Sequence, residues 1–337
     1  MQATGAPVDK VRDIGLVLSG GGAKGAYQAG VWKALVEGGV ADRIAVISGT
    51  SVGAINAAAF AAVWNPNRIR DIWHNHVASI VSPHFKAFSP LKVLESVARW
   101  ADGEAFPMQG FLDRDKVAEV LSKALPRMWP KGTPAVHATS LEVRGAAFGE
   151  LDRTSYRKVR FRIDEEANTE KRRDMILASS AIPWCYSPVE IDGRRYVDGG
   201  WDEMGGENTP VQPILKEHSG IHTIVVVRCN SRDIDPETIR LPRQSSVNLV
   251  EIRPEKPLPG LFDLENLGGG LLLGSLFPGV PSIFPVSIAA MSLAGLFTSR
   301  RAKIWGATLA FAPAFTDQYF ATGYQDGRRA VKEGFKE

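Results

Sequence analysis

Two glycine-rich turns, one strand–helix unit apart, constrain this chain more than any other feature. The first follows the apolar run Ile14–Leu18 and reads Ser19-Gly20-Gly21-Gly22-Ala23-Lys24-Gly25. Apolar residues at helical spacing come next (Ala26, Val31, Ala34, Leu35), ending at Gly38-Gly39. The second turn follows Ile44–Ile47 and reads Ser48-Gly49-Thr50-Ser51-Val52-Gly53, ahead of the alanine-rich stretch Ala54–Val63. A strand, a glycine turn and a helix, twice over, predict an α/β fold around a parallel sheet. Further strands are predicted at Ala135–Leu141 and His222–Arg228. No repeat or low-complexity linker divides the 337 residues, so one domain is expected.

The first turn satisfies G-x-G-x-x-G at Gly20, Gly22 and Gly25, the spacing of a dinucleotide site. That reading needs an acidic residue closing the second strand, but Asp42 precedes the strand, and Gly49, Thr50 and Ser51 stand at its end. A phosphate loop of the Walker type is excluded because Lys24 comes before Gly25, not after it. What remains is the chemistry such loops share: backbone N–H groups at a helix N-terminus converge on negative charge. Lys24 orients this loop, meets a phosphate, or is simply solvated.

The second turn identifies the charge. Gly49-Thr50-Ser51-Val52-Gly53 is G-x-S-x-G between a strand and a helix, the context in which the serine is strained and its hydroxyl exposed. Gly49 and Gly53 flank it because side chains there would collide with the neighbouring strand and helix. Ser51 is the candidate nucleophile, and a nucleophilic hydroxyl needs a base. In the order of an α/β-hydrolase the histidine follows the acid, which leaves His218 and His222. His222 opens a strand and His218 sits in a Ser-Gly turn, so a His-dependent esterase is the weaker alternative. His74, His76, His84 and His137 read as solvated or packed. Asp198 is better placed. Val189–Ile191, Asp192-Gly193 and Arg194–Val197 form a hairpin signal, with Asp198 closing it before Gly199-Gly200, where another group can approach closely.

Taken in order, Gly20-Gly21-Gly22-Ala23-Lys24-Gly25, Gly49-Thr50-Ser51-Val52-Gly53 and Asp198-Gly199-Gly200 resemble the three signatures of patatin-like phospholipases. Ala178-Ser179-Ser180-Ala181-Ile182-Pro183, ending in Ser187-Pro188, resembles the segment that precedes that family's aspartate. The resemblance spans roughly residues 14 to 210 and fades beyond about residue 230. It implies a three-layer patatin-like fold, a central, mostly parallel sheet flanked by helices. It also implies a Ser51–Asp198 dyad without histidine, an oxyanion hole from the Gly20–Gly25 loop, and neither metal nor cofactor. The departure is the stretch Trp201–Glu207, longer and more acidic than the family's usual link to Asn208-Thr209-Pro210.

The expected activity is therefore fatty-acyl ester hydrolysis of the phospholipase A or lysophospholipase type, with acyl transfer to a lipid alcohol as the alternative. A net charge of +3, from 40 basic and 37 acidic residues, argues against nucleic acid as a partner. Cys185 and Cys229 lie far apart, which fits a reduced setting. Met1–Lys10 lacks the apolar run of a signal peptide, and a cytoplasmic enzyme peripheral to a membrane is expected. The expected organisation is a loose tail at 1–12, a catalytic domain at 13–230, and a region at 231–337 packed on that domain. Residues 267–299 carry no charge, yet Pro278, Pro281 and Pro285 break the segment, so it does not read as a spanning helix. It reads as a core element or homo-oligomer contact, or as a bilayer-docking surface backed by Arg300, Arg301 and Lys303.

Overall fold

The computed structural model describes residues 11–77, 114–144, 153–183, 186–236, 238, 239, 241, 246–259, 311 and 313–335. The apolar segment 267–299, Cys185, His84 and residues 1–10 of the expected tail lie outside them. In chain order the main elements are β1 (Ile14–Leu18), α1 (Gly25–Glu37), β2 (Ile44–Thr50), α2 (Val52–Val63) and α3 (Pro66–Asp71). There follow α4 (Asp115–Ala124), β3 (Ala135–Val143), β4 (Tyr156–Arg162), α5 (Thr169–Ser179), β5 (Val189–Ile191) and β6 (Arg194–Asp198). The chain ends with α6 (Gln212–Glu217), β7 (Thr223–Val227), β8 (Asn248–Ile252) and α7 (Pro313–Gly334).

Among the described residues all eight strands join one sheet in the order β5-β6-β3-β2-β1-β7-β8, with β4 paired to β3. The pairs β1–β2, β1–β7, β2–β3 and β7–β8 are parallel, while β3–β4, β3–β6 and β5–β6 are antiparallel. The centre of the sheet is buried on both faces, which explains why β1 and β7 are apolar at nearly every position. Ile14, Leu16 and Leu18 pack with residues of α1, α2, α5 and α7, whereas Val17 meets Ile214 of α6, Ile224 and Val226 on the other face. Helices thus cover both sides of a mostly parallel sheet.

β2 extends past its apolar run because Gly49 still pairs with Leu18 and Thr50 with Thr139. The β5–β6 hairpin turns on Asp192 (φ 51°) and Gly193 (φ 71°), the paired left-handed residues of a type I′ turn. From the C-terminal end, α7 lies against α1 along a seam of glycines. A Cβ on Gly323 would stand 2.0 Å from the Tyr27 carbonyl oxygen, and one on Gly30 2.0 Å from that of Phe320. Tyr27 Oη donates to Asp326 at 2.9 Å across the same seam.

One consequence of the registers positions the site. β4 runs along one edge of β3 from His137 to Val143. β2, pairing with residues 135–139, and β6, pairing with residues 140–143, must therefore share the opposite edge. They approach from opposite directions and end on adjacent residues: Thr50 on Thr139, Asp198 on Ser140.

Candidate active site

Ser51 lies between the last residue of β2 and the first of α2, with φ 57° and ψ −126°. A non-glycine residue there carries about 1–3 kcal/mol of backbone strain. Its surroundings hold it in place. The Ser51 amide donates to Ser179 Oγ at 3.0 Å, and that hydroxyl donates to the Thr139 carbonyl at 2.6 Å. The turn is too tight for side chains on either flank: a Cβ on Gly49 would stand 2.2 Å from the Gly53 carbonyl oxygen, and one on Gly53 2.3 Å from that of Leu18.

Asp198 is 6% exposed. Its Oδ1 accepts the Gly200 amide at 2.7 Å, while Oδ2 is buried and receives no completed hydrogen bond. Burial pushes its pKa up to about 6, against the lowering influence of the facing Ser51 hydroxyl and the Gly200 amide; Asp202 adds to the rise. Gly199 presses on β3, where a Cβ would stand 2.2 Å from the Thr139 carbonyl oxygen. A serine hydroxyl thus meets a carboxylate with one unpartnered oxygen and a proton affinity unusually high for an aspartate.

The glycine loop runs from β1 to α1 beside this pair. The Gly20 amide donates to the Asn208 carbonyl at 3.0 Å, the Lys24 amide to the Gly21 carbonyl at 3.2 Å, and the Gly25 amide to the carbonyls of Gly22 and Ala23. Among the described residues the amides of Gly21, Gly22 and Ala23 donate to no protein group. Behind the loop lies a buried polar network. Gln28 Nε2 donates to the Ser19 carbonyl at 2.6 Å and Cys229 Sγ at 3.3 Å; Asn56 Nδ2 donates to the Gly25 carbonyl and to Gln28 Oε1, both at 2.9 Å. Trp73 Nε1 donates to Asn56 Oδ1 at 3.2 Å, and the Cys229 amide to Ser19 Oγ at 3.0 Å.

Lys24 belongs to this network and is not solvated. It is 2% exposed, and its Nζ donates to Asn230 Oδ1 at 2.6 Å. Burial lowers its pKa to about 8, with Cys229 and Asp235 opposing the shift. Burial likewise pushes the Cys229 thiol up.

The fold therefore brings Ser51, Asp198, the glycine loop, Gly49, Gly53, Gly199 and Gly200 into one place. The later histidines are engaged elsewhere. His218 Nε2 lies 2.8 Å from Nε2 of His137, whose pKa burial drives down to about 3. His222 stands just before β7, where its amide donates to the Asp13 carbonyl at 2.8 Å, at the end of the sheet opposite Ser51. Among the described residues no group of three His, Cys, Asp or Glu side chains is placed to hold a metal. Ser19 opens the first glycine turn and Asn208 the stretch Asn208-Thr209-Pro210, whereas Gln28, Asn56 and Asn230 carry no motif of their own.

The family model described as patatin-like phospholipase matches residues 16–214. Over 50 residues, which are 15% of this chain and 3% of the relative, the sequence is 56% identical to lysophospholipase nte1 of Aspergillus terreus. The chain therefore aligns with a small part of that relative's length. Among solved structures, VipD from Legionella pneumophila aligns over 95% of this chain and 68% of its own, at 13% identity and a TM-score of 0.38. Human GIVD cytosolic phospholipase A2 aligns over 96% and 61%, at 13% identity and a TM-score of 0.39.

Proposed function

Because the chain belongs to the patatin-like phospholipase family, we propose that it hydrolyses fatty-acyl esters of phospholipids or related lipids through an acyl-enzyme on Ser51. The observation that carries this reading is the strained Ser51 hydroxyl facing a buried Asp198 carboxylate with one unpartnered oxygen. Ser51 Oγ attacks the ester carbonyl carbon while its proton passes to Asp198 Oδ2. The carbonyl oxygen, now negative, takes hydrogen bonds from the amides of Gly21, Gly22 and Ala23. The ester C–O bond then breaks, and the departing alkoxide receives the proton from Asp198. Water repeats the sequence: it loses a proton to Asp198, attacks the acyl carbon, and Ser51 leaves as it regains that proton. A base with a pKa near 6 suits this work, since it is ionised at neutral pH yet still takes a proton. The occupied amides of Gly20, Lys24 and Gly25 hold the loop in shape.

The dyad needs no histidine, which agrees with the placement of His218 and His222. Since lipid esters reside in bilayers or micelles, the enzyme works as a peripheral membrane protein on the cytoplasmic side. No helix among the described residues is long and apolar enough to cross a membrane. The same acyl-enzyme would serve transfer to a lipid alcohol, and product analysis with added acceptor separates the two outcomes. The direct test measures turnover of a fatty-acyl ester by Ser51→Ala and Asp198→Asn. Loss in both is expected; wild-type turnover in either overturns the dyad.

A further inference from the structure

The segment after Asp198 returns to the site at Glu207 and Asn208, and there it touches all three turns. The Glu207 amide donates to the Gly199 carbonyl at 2.7 Å, and the Thr50 hydroxyl donates to the Glu207 carbonyl at 2.7 Å. The Asn208 carbonyl accepts the Gly20 amide, and the Asn208 amide donates to Asp202 Oδ1 at 3.0 Å. The Asn208 side chain then fills the space between two of the turns. A Cβ on Gly20 would stand 2.4 Å from Asn208 Oδ1 and 3.2 Å from Ser51 Cβ; one on Gly200 would stand 2.7 Å from that same oxygen and 3.1 Å from Asp198 Oδ1.

We infer that Asn208 is a positioning residue of the active site: its carboxamide sets the spacing between the loop at Gly20, beside Ser51, and the turn at Gly200, beside Asp198. The inference rests on the hydrolase reading above. Both neighbours are glycines, the residues with the most backbone freedom, so if the wedge is removed only the Gly20 amide on the Asn208 carbonyl and the Gly200 amide on Asp198 hold them, with no side chain of their own to fill the gap. The wedge must also be uncharged. A carboxylate at this position would sit near Asp198, add to the effect of Asp202, and favour the protonated base. Asparagine supplies the volume and polarity without that charge.

The test compares the full-length wild type with Asn208→Ala, Asn208→Asp and Ser51→Ala. Fluorophosphonate labelling and the pH dependence of kcat and KM are measured on a p-nitrophenyl acyl ester, and thermal melting reports folding. Asn208→Ala is expected to lose on the order of 10- to 100-fold in kcat with KM unchanged, the scale of a small misplacement of reacting groups. Asn208→Asp keeps the shape and the fold, and moves the acid limb of the profile up by about one pH unit through like-charge repulsion. A residue serving stability alone would lower the melting temperature and leave that limb in place. Wild-type kcat in Asn208→Ala, or a wild-type acid limb in folded Asn208→Asp, overturns the inference. If Ser51→Ala is labelled as fast as the wild type, the hydrolase reading itself fails and the inference falls with it.

Discussion

Ser179 holds Ser51 by its backbone: the Ser51 amide donates to the Ser179 hydroxyl, which is itself fixed by donating to Thr139 on β3. The strained elbow is thus tied to the strand against which Asp198 also ends. Ser179→Ala would leave a buried amide unsatisfied, at about 1–3 kcal/mol. It would also let Ser51, the proposed nucleophile, shift, with a kcat loss on the order of 10- to 100-fold. Melting and turnover are read on the same preparation. A variant that melts earlier but turns over normally assigns Ser179 to stability alone.

If Asp198 is the base proposed above, it makes opposite contributions to stability and activity. Its pKa in the folded chain, about 6, lies above the ordinary 3.8. The folded state therefore holds a proton between these values where the unfolded chain has released it, and stability falls as pH rises through 6. Asp198→Asn should accordingly be more stable than wild type at about pH 8, by on the order of 1–3 kcal/mol, with the gain vanishing near about pH 4. Wild-type kcat/KM should meanwhile decline below about pH 6 as the base is protonated. Equal melting temperatures at about pH 8 would mean that the buried carboxylate carries no such cost.

Lys24 predicts the other side of the pH profile. Its ammonium is buried behind the glycine loop proposed to bind the oxyanion, and it discharges near pH 8. Activity should fall above that value, and the fall should disappear in Lys24→Met. The loss at neutral pH should be smaller than the roughly 100- to 1,000-fold typical of removing an oxyanion donor, because the charge acts from behind the loop. Persistence of the alkaline limb in Lys24→Met would assign it to another group.

The seam between α1 and α7 can be tested without touching the site. Gly323→Ala places a methyl 2.0 Å from the Tyr27 carbonyl oxygen, which the helices relieve only by separating. A destabilisation of about 1–3 kcal/mol is expected from such overpacking. Thermal melting should show it, while kcat per folded molecule stays at the wild-type value. An unchanged melting temperature would show that α7 can move away from α1 at little cost.

Local patterns were enough to read the strand–turn–helix units. β1 coincides with its apolar run, and α2 begins directly after Ser51, where the glycine-flanked turn places the change from strand to helix. The hairpin before Asp198 was legible from Asp192-Gly193, a pair that accepts two left-handed residues. Other features were hidden because they depend on contacts between distant residues. Nothing around Lys24 announces that Asn230, 206 residues away, gives it a buried partner. Ser179 lies in a segment whose family resemblance is visible, but its hold on the Ser51 amide comes from folding. Asn208 is one polar residue in a polar loop until Gly20 and Gly200 close around it.

Strands β2 and β6 meet end to end on one edge of β3, and so β3 acts as a ruler for the chemistry. The proposed nucleophile and base are measured from neighbouring marks, Thr139 and Ser140. Segments that leave and re-enter the sheet between them can lengthen or shorten without altering that measurement. A single residue inserted into β3 between the two marks would slide one partner past the other by about 3.3 Å, the rise of a strand residue. The architecture thus leaves the connections free to change while the interval between the two reacting groups stays constant.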